Sequence, residues 1–493
     1  MNKKKKFEGA NKLRKMMWPV MKWAVLVAQG VVSVILTASM IAMGVLNIGI
    51  IVAIAVVLLV LWVINFVFLV LRKNTKLVVN VICLILALAT IVTGIFALRY
   101  TGAFNSFLNK VTSNGRELKE YSVVVLSNSG IDELEQLDSR SAGLLLTDMT
   151  ASRASEELKK QVAVKTDTYE DVDVMDEMMD SNLLDAMVLE SSRMEAIKED
   201  KASLLDDKKV IYSFSIEITK EGEDAPRKEI TEDPFLIYIS GSDSRSGVKA
   251  TARSDVNILA AVNPKTGKIL LVSIPRDTYV QLHGTTGLKD KLTHAGLYGI
   301  EMSKTTIEDL LGVDVDYTLK VGFEAVVRIV DELGGIEINS DTAMTLTAGS
   351  GKKCIYVEGK QTVDGECALR FARERKTYKT GDLHRGANQQ EVLTGIINKM
   401  ASSKDYFLRL PEVMDAASDL FETSLSEDEI TKFIRMQLAN QIKWQTESIG
   451  VTGVAEMLPT YSMGENLPLY VMHPDEGSLK EAKEKILEYL ETK

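Results

Sequence analysis

The sequence predicts an α/β protein tethered by three N-terminal transmembrane helices. Three observations predict it. Three long apolar runs follow a basic start. An acidic stretch after them mixes strand-like and helix-like patterns. Further on, short apolar strands empty into loops rich in Asp and Arg and then give way to helical segments.

Length and charge bound the possibilities. At 493 residues the chain exceeds one ordinary domain, so two or three folding units are expected. The first fifth is nearly free of acids, yet the whole chain carries a net charge of −10. A negative chain without a long basic stripe is a poor nucleic-acid binder, because phosphate neutralisation supplies most of that affinity. Three cysteines exclude a disulfide-stapled scaffold. Cys83 sits in an apolar run and reads as packing. Cys354 and Cys367 flank a Gly-containing stretch. A bridge between them is open in an oxidising compartment, though the unbridged form is the favoured reading.

The apolar runs are Trp23–Val45, Gly49–Leu71 and Leu77–Leu98, each near the ~20 residues that cross the hydrocarbon core. A secretory signal would be one shorter run with a small-residue cleavage site. Basic residues set the orientation. Lys3, Lys4, Lys5, Lys6, Lys12, Arg14 and Lys15 precede the first span, and Arg72, Lys73 and Lys76 separate the second from the third. The first connection, Leu46–Ile48, has no charge. The N-terminus and second loop are therefore expected in the cytoplasm, and everything after about Arg99 outside. Trp18, Trp23, Trp62 and Tyr100 lie near span ends, as interfacial aromatics do.

From Tyr121 to about Thr231 the pattern suggests a small α/β accessory module. Tyr121–Leu126, Ala142–Leu146 and Tyr212–Ile218 read as strands, and Ser155–Gln161 as a helix. Asp176–Ile197 carries a broad helical stripe of Met178, Met179, Leu183, Leu184, Met187, Val188 and Leu189, read mainly as core. Glu221–Thr231 reads as a linker. No chemistry is identifiable in this region.

The region after it carries chemistry. Phe235–Ser240 is a buried-type strand that runs into Gly241-Ser242-Asp243-Ser244-Arg245. Arg253-Ser254-Asp255 precedes a strand at Val256–Val262, and Asn263–Gly267 is a turn. The returning strand Ile269–Ile274 runs into Pro275-Arg276-Asp277. A hairpin makes these two strands antiparallel, which brings Arg253 and Asp255 close to Arg276 and Asp277. If the Phe235 strand runs parallel to the Ile269 strand, Asp243 joins them, at the strand ends where open α/β sheets bind ligands. Downstream, a helix at Asp364–Phe371 leads to Arg373-Glu374-Arg375. A second helix opens at His384 and runs towards Met400, with Arg385 and Gln389 on one face. A helix opening, arginines and amides together suit an anion.

Such a mixture fits a diphosphate. Arg253, Arg276, Arg373, Arg375 and Arg385 could grip its oxygens, while Asp243 and Asp255 could hold a magnesium ion, which commonly takes one or two carboxylates. The bland alternative is a surface of mutually neutralising ion pairs, and the convergence of five arginines with two aspartates favours a site. Thr306–Leu311 and Glu324–Leu333 read as amphipathic helices. Val326, Val327, Ile329 and Val330 could line a slot for a lipid chain, although core packing explains them as well. His294 could be a general acid or base, but a hydrogen-bonded structural role is preferred. Leu467–Met472 and Leu479–Leu490 read as a closing strand and helix.

Gly241–Asp277, Asp290-Lys291-Leu292-Thr293-His294-Ala295-Gly296, Leu333-Gly334-Gly335-Ile336 and Ala368–Gln390 closely resemble the LytR-CpsA-Psr family, from about Phe235 to the C-terminus. With three spans and an accessory module, the whole chain looks like the capsule-type CpsA members. The resemblance implies an α/β/α sandwich around a mixed central sheet. It also implies a magnesium-assisted phosphotransferase of Gram-positive envelopes, which moves a glycopolymer (capsular or teichoic-acid-like) from a polyprenyl diphosphate carrier to peptidoglycan. Asp243 and Asp255 match the metal-linked aspartates. Arg253, Arg276, Arg373, Arg375 and Arg385 match the diphosphate arginines, Gln389 the glutamine, and Lys291 a recurrent lysine. Val280 stands where some members carry a further basic residue. Asp243, Asp255 and Arg253 are the residues expected to act on the reacting group.

The expected organisation is a cytoplasmic N-terminus over 1–22, spans within 23–98, an accessory module at 120–220, a linker at 221–233 and the catalytic domain at 234–493. Peptidoglycan, the lipid-linked glycan, the membrane and capsule-synthesis proteins are the expected partners. Two alternatives remain open: a hydrolase that cleaves polyprenyl diphosphates, and a regulatory membrane protein, as the family's older description as transcriptional attenuators suggests.

Overall fold

A computed structural model of the chain describes residues 2–72, 77–112, 116–148, 150–219, 228–242, 251–402, 413 and 418–491. These residues form two compact units. One comprises Met1–Asn109 with Glu427–Asn440, the other Lys110–Ser426 with Gln441–Lys493.

In the first unit, three helices are long and apolar enough to cross a membrane: Trp18–Met43, Ile48–Leu71 and Val78–Val111. With almost no charge in the spans, side-chain amides tie them together. Asn65 Nδ2 donates to Gln29 Oε1 at 3.1 Å, and Gln29 Nε2 donates to Thr90 Oγ1 at 3.1 Å. One polar ladder thus joins all three helices, as polar groups do where lipid offers no competing partner. The protein is a multi-pass membrane protein with a cytoplasmic N-terminus and a large extracytoplasmic part. Of the second basic loop, Lys73 and Lys76 lie outside the described residues.

Among the described residues, the second unit holds two large sheets and four two-stranded ones. The accessory sheet has the strand order Lys165–Tyr169, Ser141–Leu145, Ala186–Glu190, Arg116–Leu126 and Lys208–Thr219. The stretch expected as one helix over Asp176–Ile197 is instead a helix at Val172–Asp180, a strand at Ala186–Glu190 and a helix at Ser191–Asp200. Asn182, with φ of 56°, breaks the first helix. Ala186–Glu190 is buried throughout as a sheet interior strand, and an apolar run that short does not distinguish strand from helix. The strand Lys165–Tyr169 escaped sequence reading because its alternation is mostly polar and exposed. Most of the expected Glu221–Thr231 linker lies outside the described residues.

The larger sheet is mixed, with the order Phe421–Thr423, Tyr317–Gly322, Phe235–Ser242, Val256–Asn263, Lys268–Ser273 and Gln445–Gly450. Val256–Asn263 runs antiparallel to both neighbours, so Phe235–Ser242 and Lys268–Ser273 share a direction. Tyr317–Gly322 and Gln445–Gly450 extend the sheet in parallel at either side. The C-terminal ends of four strands and the start of Val256–Asn263 therefore lie along one edge. The central strands are near-continuous buried apolar runs, as strands covered on both faces are. Leu236, Tyr238, Leu259, Leu270 and Val272 pack with Ile300, Ile307 and Leu311 of one helix and Ala482 and Ile486 of the C-terminal helix Glu476–Glu491. The Asp382–Ser402 helix lies against Lys268–Ser273 and Gln445–Gly450. The expected α/β class, with a mixed central sheet between helices, is the one observed.

Cys354 and Cys367 are bridged, with Cα atoms 5.4 Å apart, which corrects the favoured unbridged reading. The bond ties the strand Lys353–Tyr356 to the helix Gly365–Ala372. Extracytoplasmic placement makes that pairing chemically reasonable.

Candidate active site

At the sheet edge, Asp255, Arg276 and Asp277 lie together with Lys291. Arg276 Nη1 donates to Asp255 Oδ1 at 2.7 Å, across the two antiparallel strands. Arg276 Nε is 3.8 Å from Asp277 Oδ2, and Lys291 Nζ is 3.4 Å from Asp277 Oδ1. Asp277 thus places a carboxylate within ion-pair distance of both Arg276 and Lys291.

The segment Asp290–Gly296 holds these loops in place through its backbone. Thr293 N donates to Arg276 O at 2.8 Å, and Thr293 O accepts from Ser254 N at 3.1 Å. One residue therefore clamps both arginine-bearing segments. Gly296 is required there, because a Cβ would stand 2.4 Å from Ala252 O and 2.8 Å from Ser254 N. Asp290 is fully buried; it accepts from Lys291 N at 2.8 Å and meets His294 Nδ1 at 2.6 Å. Its other oxygen accepts from Ser462 N at 2.9 Å. His294 is fully buried, in the structural role preferred from sequence.

The second arginine group arrives on the helix Asp382–Ser402, which opens two residues before the expected His384. Gln390 Nε2 bonds Leu271 O at 2.9 Å and Ile449 O at 2.7 Å, pinning the helix to two strands. Gly386 permits the close approach, since a Cβ would lie 2.5 Å from Ser273 Oγ. Arg385 Nη2 lies 2.6 Å from Asp382 Oδ1.

Asp255, Arg276, Asp382, Arg385 and Gln389 line one cavity of about 380 Å³, next to the strand ends Ser273 and Gly450. Arg373 and Arg375 do not line it. They border a second cavity of about 560 Å³ with Phe323, Val327 and Leu369. The Arg373 guanidinium lies 5.0 Å over the Phe323 ring. Arg375 still acts on the first cavity electrostatically, through Asp382. Arg253 and Lys291 border neither cavity. Arg253 immediately precedes the clamped Ser254. Of the expected lipid-slot residues, Val327 borders the second cavity, whereas Ile329 and Val330 are buried. Asp243 lies outside the described residues.

Electrostatics follow from this crowding. Burial pushes the Asp382 carboxyl up, with Asp277 adding to the effect, while Arg385, Arg276 and Arg375 oppose it. Burial also lowers the Arg385 guanidinium's pKa, against the pull of Asp382. Glu374, 2% exposed, is held below the usual carboxylate range. Its burial opposes this, but bonds from Thr377 N and Oγ1 and the Arg370 guanidinium outweigh burial. Sequence reading missed Asp382 and Glu374. The spacing of Asp382 and Arg385, three apart in a helix's first turn, is the signal that could have found the first. The Asp290–Ser462 contact joins residues 172 apart, and nothing local announces it.

Residues 188–483 match the model of the LytR_cpsA_psr family, more than half of the chain. The chain belongs to the LytR_cpsA_psr family. A polyisoprenyl-teichoic acid–peptidoglycan teichoic acid transferase, TagU of Bacillus subtilis, is 41% identical over 172 residues, covering 35% of this chain and 54% of the relative. The chain therefore spans about half the length of the curated relatives it matches. Crystal structures of B. subtilis TagV (27% identical, 53% of this chain and 99% of that chain, TM-score 0.44) and of TagT bound to LI-WTA (28%, 55% and 95%, TM-score 0.42) are also similar. These relatives are teichoic-acid types, which corrects the expectation of a capsule-type CpsA member. That expectation rested on the three spans and the accessory module. The spans and about the first two thirds of the module lie ahead of the matched residues, and neither carries information about the polymer.

Members of this family of transferases are generally metal-assisted. Among the described residues, no group of three or more His, Cys, Asp or Glu side chains is arranged to hold a metal ion. Magnesium does not need such a group, because it commonly takes one or two carboxylates together with substrate phosphates. Asp255 fits that pattern. It borders the cavity and commits one oxygen to Arg276, and among the described residues its other oxygen makes no hydrogen bond.

Proposed function

We propose that the chain is a membrane-anchored phosphotransferase that moves a teichoic-acid-like glycopolymer from a polyprenyl diphosphate carrier to peptidoglycan. The observation that carries this reading is the cavity in which Arg276, Arg385 and Gln389 face Asp255 at the strand ends. Guanidinium groups suit diphosphate oxygens because they bond bidentately and stay charged. The anchor adds a reason: a lipid-linked substrate stays at the membrane, and so must its enzyme. The teichoic-acid transferase names of the relatives support the choice of polymer. The organisation that serves this function is an anchor, an accessory module and a catalytic domain that begins near residue 234.

In this reading, Arg276 and Arg385 bind and orient the diphosphate, Gln389 donates to it, and Arg373 and Arg375 extend the positive field towards the second cavity. Arg253, Lys291 and Asp277 complete the set by proximity to the same loops. A peptidoglycan hydroxyl attacks the phosphorus that bears the glycan. The bond to the polyprenyl phosphate breaks, and the hydroxyl's proton is released. Arginines fixed in advance stabilise the charge that develops on the phosphoryl oxygens and the leaving phosphate. Asp255, with Asp243, would hold magnesium, which supplies further neutralisation of the diphosphate.

The test is a reconstituted reaction with lipid-linked polymer and peptidoglycan. Polymer bound to the wall, together with released polyprenyl phosphate, is the outcome this reading requires. Free glycan without a wall-linked product would mean hydrolysis instead.

A further inference from the structure

The accessory module is not held to the catalytic domain by apolar packing alone. Met194, Ala196 and Ile197 of its last helix share a core with Leu297, Met463 and Leu469. Two buried charged residues stand at the same seam. Glu190, 5% exposed, ends the strand Ala186–Glu190; it accepts from Lys119 at 3.2 Å, from Ser192 Oγ at 2.9 Å and from Thr251 Oγ1. Arg193, 3% exposed, donates to Ser462 O at 2.8 Å and to Tyr298 Oη at 2.9 Å.

Both contacts lead to the candidate site. Thr251 opens the segment that carries Arg253 and Asp255, the same segment clamped by Thr293 and packed on Gly296. Ser462 binds Asp290, which fixes Lys291, and Lys291 reaches Asp277 beside Arg276. One turn of the accessory module thus reaches both halves of the Asp255–Arg276 pair. Burying an ion pair and an arginine is costly compared with a plain apolar seam. A module that served only as a spacer would not need them there.

We infer that Glu190 and Arg193 are positioning residues for the candidate active site. Glu190, through Thr251, sets the Arg253–Asp255 segment, and Arg193, through Ser462 and Asp290, sets Lys291 and Asp277. This makes the accessory module a working part of the diphosphate site. The inference rests on the diphosphate reading of the cavity.

The test titrates geranyl diphosphate, by calorimetry, into the full chain held in detergent, with thermal unfolding measured alongside. Thr251→Val keeps the shape and removes the hydroxyl; it is expected to weaken binding about tenfold. Thr251→Ser keeps the hydroxyl and should restore native affinity. Glu190→Ala combined with Thr251→Val should bind no worse than the weaker single variant, because both break one contact. Asp185→Asn is the stability control. It sits at the opposite end of the same strand, where Asp185 accepts from Ser141 N at 2.9 Å and from Arg140 at 3.1 Å. It should lower the unfolding midpoint and leave affinity unchanged. Arg276→Ala marks the site itself. Native affinity in Thr251→Val while Arg276→Ala loses binding would overturn the inference and leave the site standing. An equal loss in Asp185→Asn would also overturn it, by reducing the effect to stability. Native affinity in Arg276→Ala would overturn the diphosphate reading, and the inference with it.

Discussion

Arg276 and Asp255 meet at 2.7 Å, the end of one strand against the start of its antiparallel neighbour. An arginine so paired is held in place without a ligand, ready for an anion that can share or replace the carboxylate. Arg276→Ala or Arg385→Ala should each weaken binding of a short polyprenyl diphosphate by about 1.5–3 kcal/mol, the range for hydrogen bonds to charged groups. Lys399→Ala, in the last turn of the Asp382–Ser402 helix, should bind like the native chain. Calorimetry decides, and equal affinities in all three variants would place the site elsewhere.

Asp382 opposes the same anion. It lies 2.6 Å from Arg385, borders the cavity and carries the sign of the proposed ligand. Asp382→Asn should strengthen diphosphate binding about tenfold at low salt, since a like charge a few ångströms away is removed. Raising the ionic strength should shrink the gain. Weaker binding in this variant would show instead that Asp382 holds Arg385 in its working position.

The hairpin reasoning that brought Asp255 to Arg276 needed only a turn at Asn263–Gly267 and two apolar strands, because antiparallel pairing fixes which ends meet. The helix that carries Arg385 was legible from its periodicity and its amides. The rest was not legible, for physical reasons. The separation of Arg373 and Arg375 into a second cavity depends on how the Gly365–Ala372 helix packs, and sequence spacing does not encode that. Val172–Asp200 misled because its apolar residues satisfy a helical stripe while Ala186–Glu190 is claimed by the sheet. Contacts such as Arg193 with Ser462, 269 residues apart, have no local trace at all.

Glu374 gives the fold a pH dependence of definite sign. Its folded pKa is depressed, so the native state binds fewer protons than the unfolded chain around that range. Its stability contribution is full above the ordinary carboxylate pKa and is lost as pH falls through the depressed folded value. Glu374→Gln should lose stability at neutral pH and show a flatter acid limb. Thermal unfolding from neutral to acid pH will show whether the two curves converge; parallel curves would contradict the assignment.

The Cys354–Cys367 bridge closes a loop with a sequence separation of 13. Chain entropy for a loop of that size corresponds to about 3 kcal/mol. A Cys354→Ser, Cys367→Ser double variant should be less stable by roughly that amount in urea unfolding. Unchanged stability would mean that packing of Tyr356 on Phe371 holds this corner without the bond.

Transfer itself tests the central claim most directly. The full chain would be mixed with a labelled teichoic-acid precursor on polyprenyl diphosphate, peptidoglycan and magnesium, and the label bound to the wall counted. The native chain should yield wall-linked label and an equal amount of polyprenyl phosphate. A folded Asp243→Asn, Asp255→Asn double variant should yield almost none, and chelation should stop the native reaction. Wall-linked label formed at the native rate by that variant, or glycan released with none bound to the wall, would contradict the account.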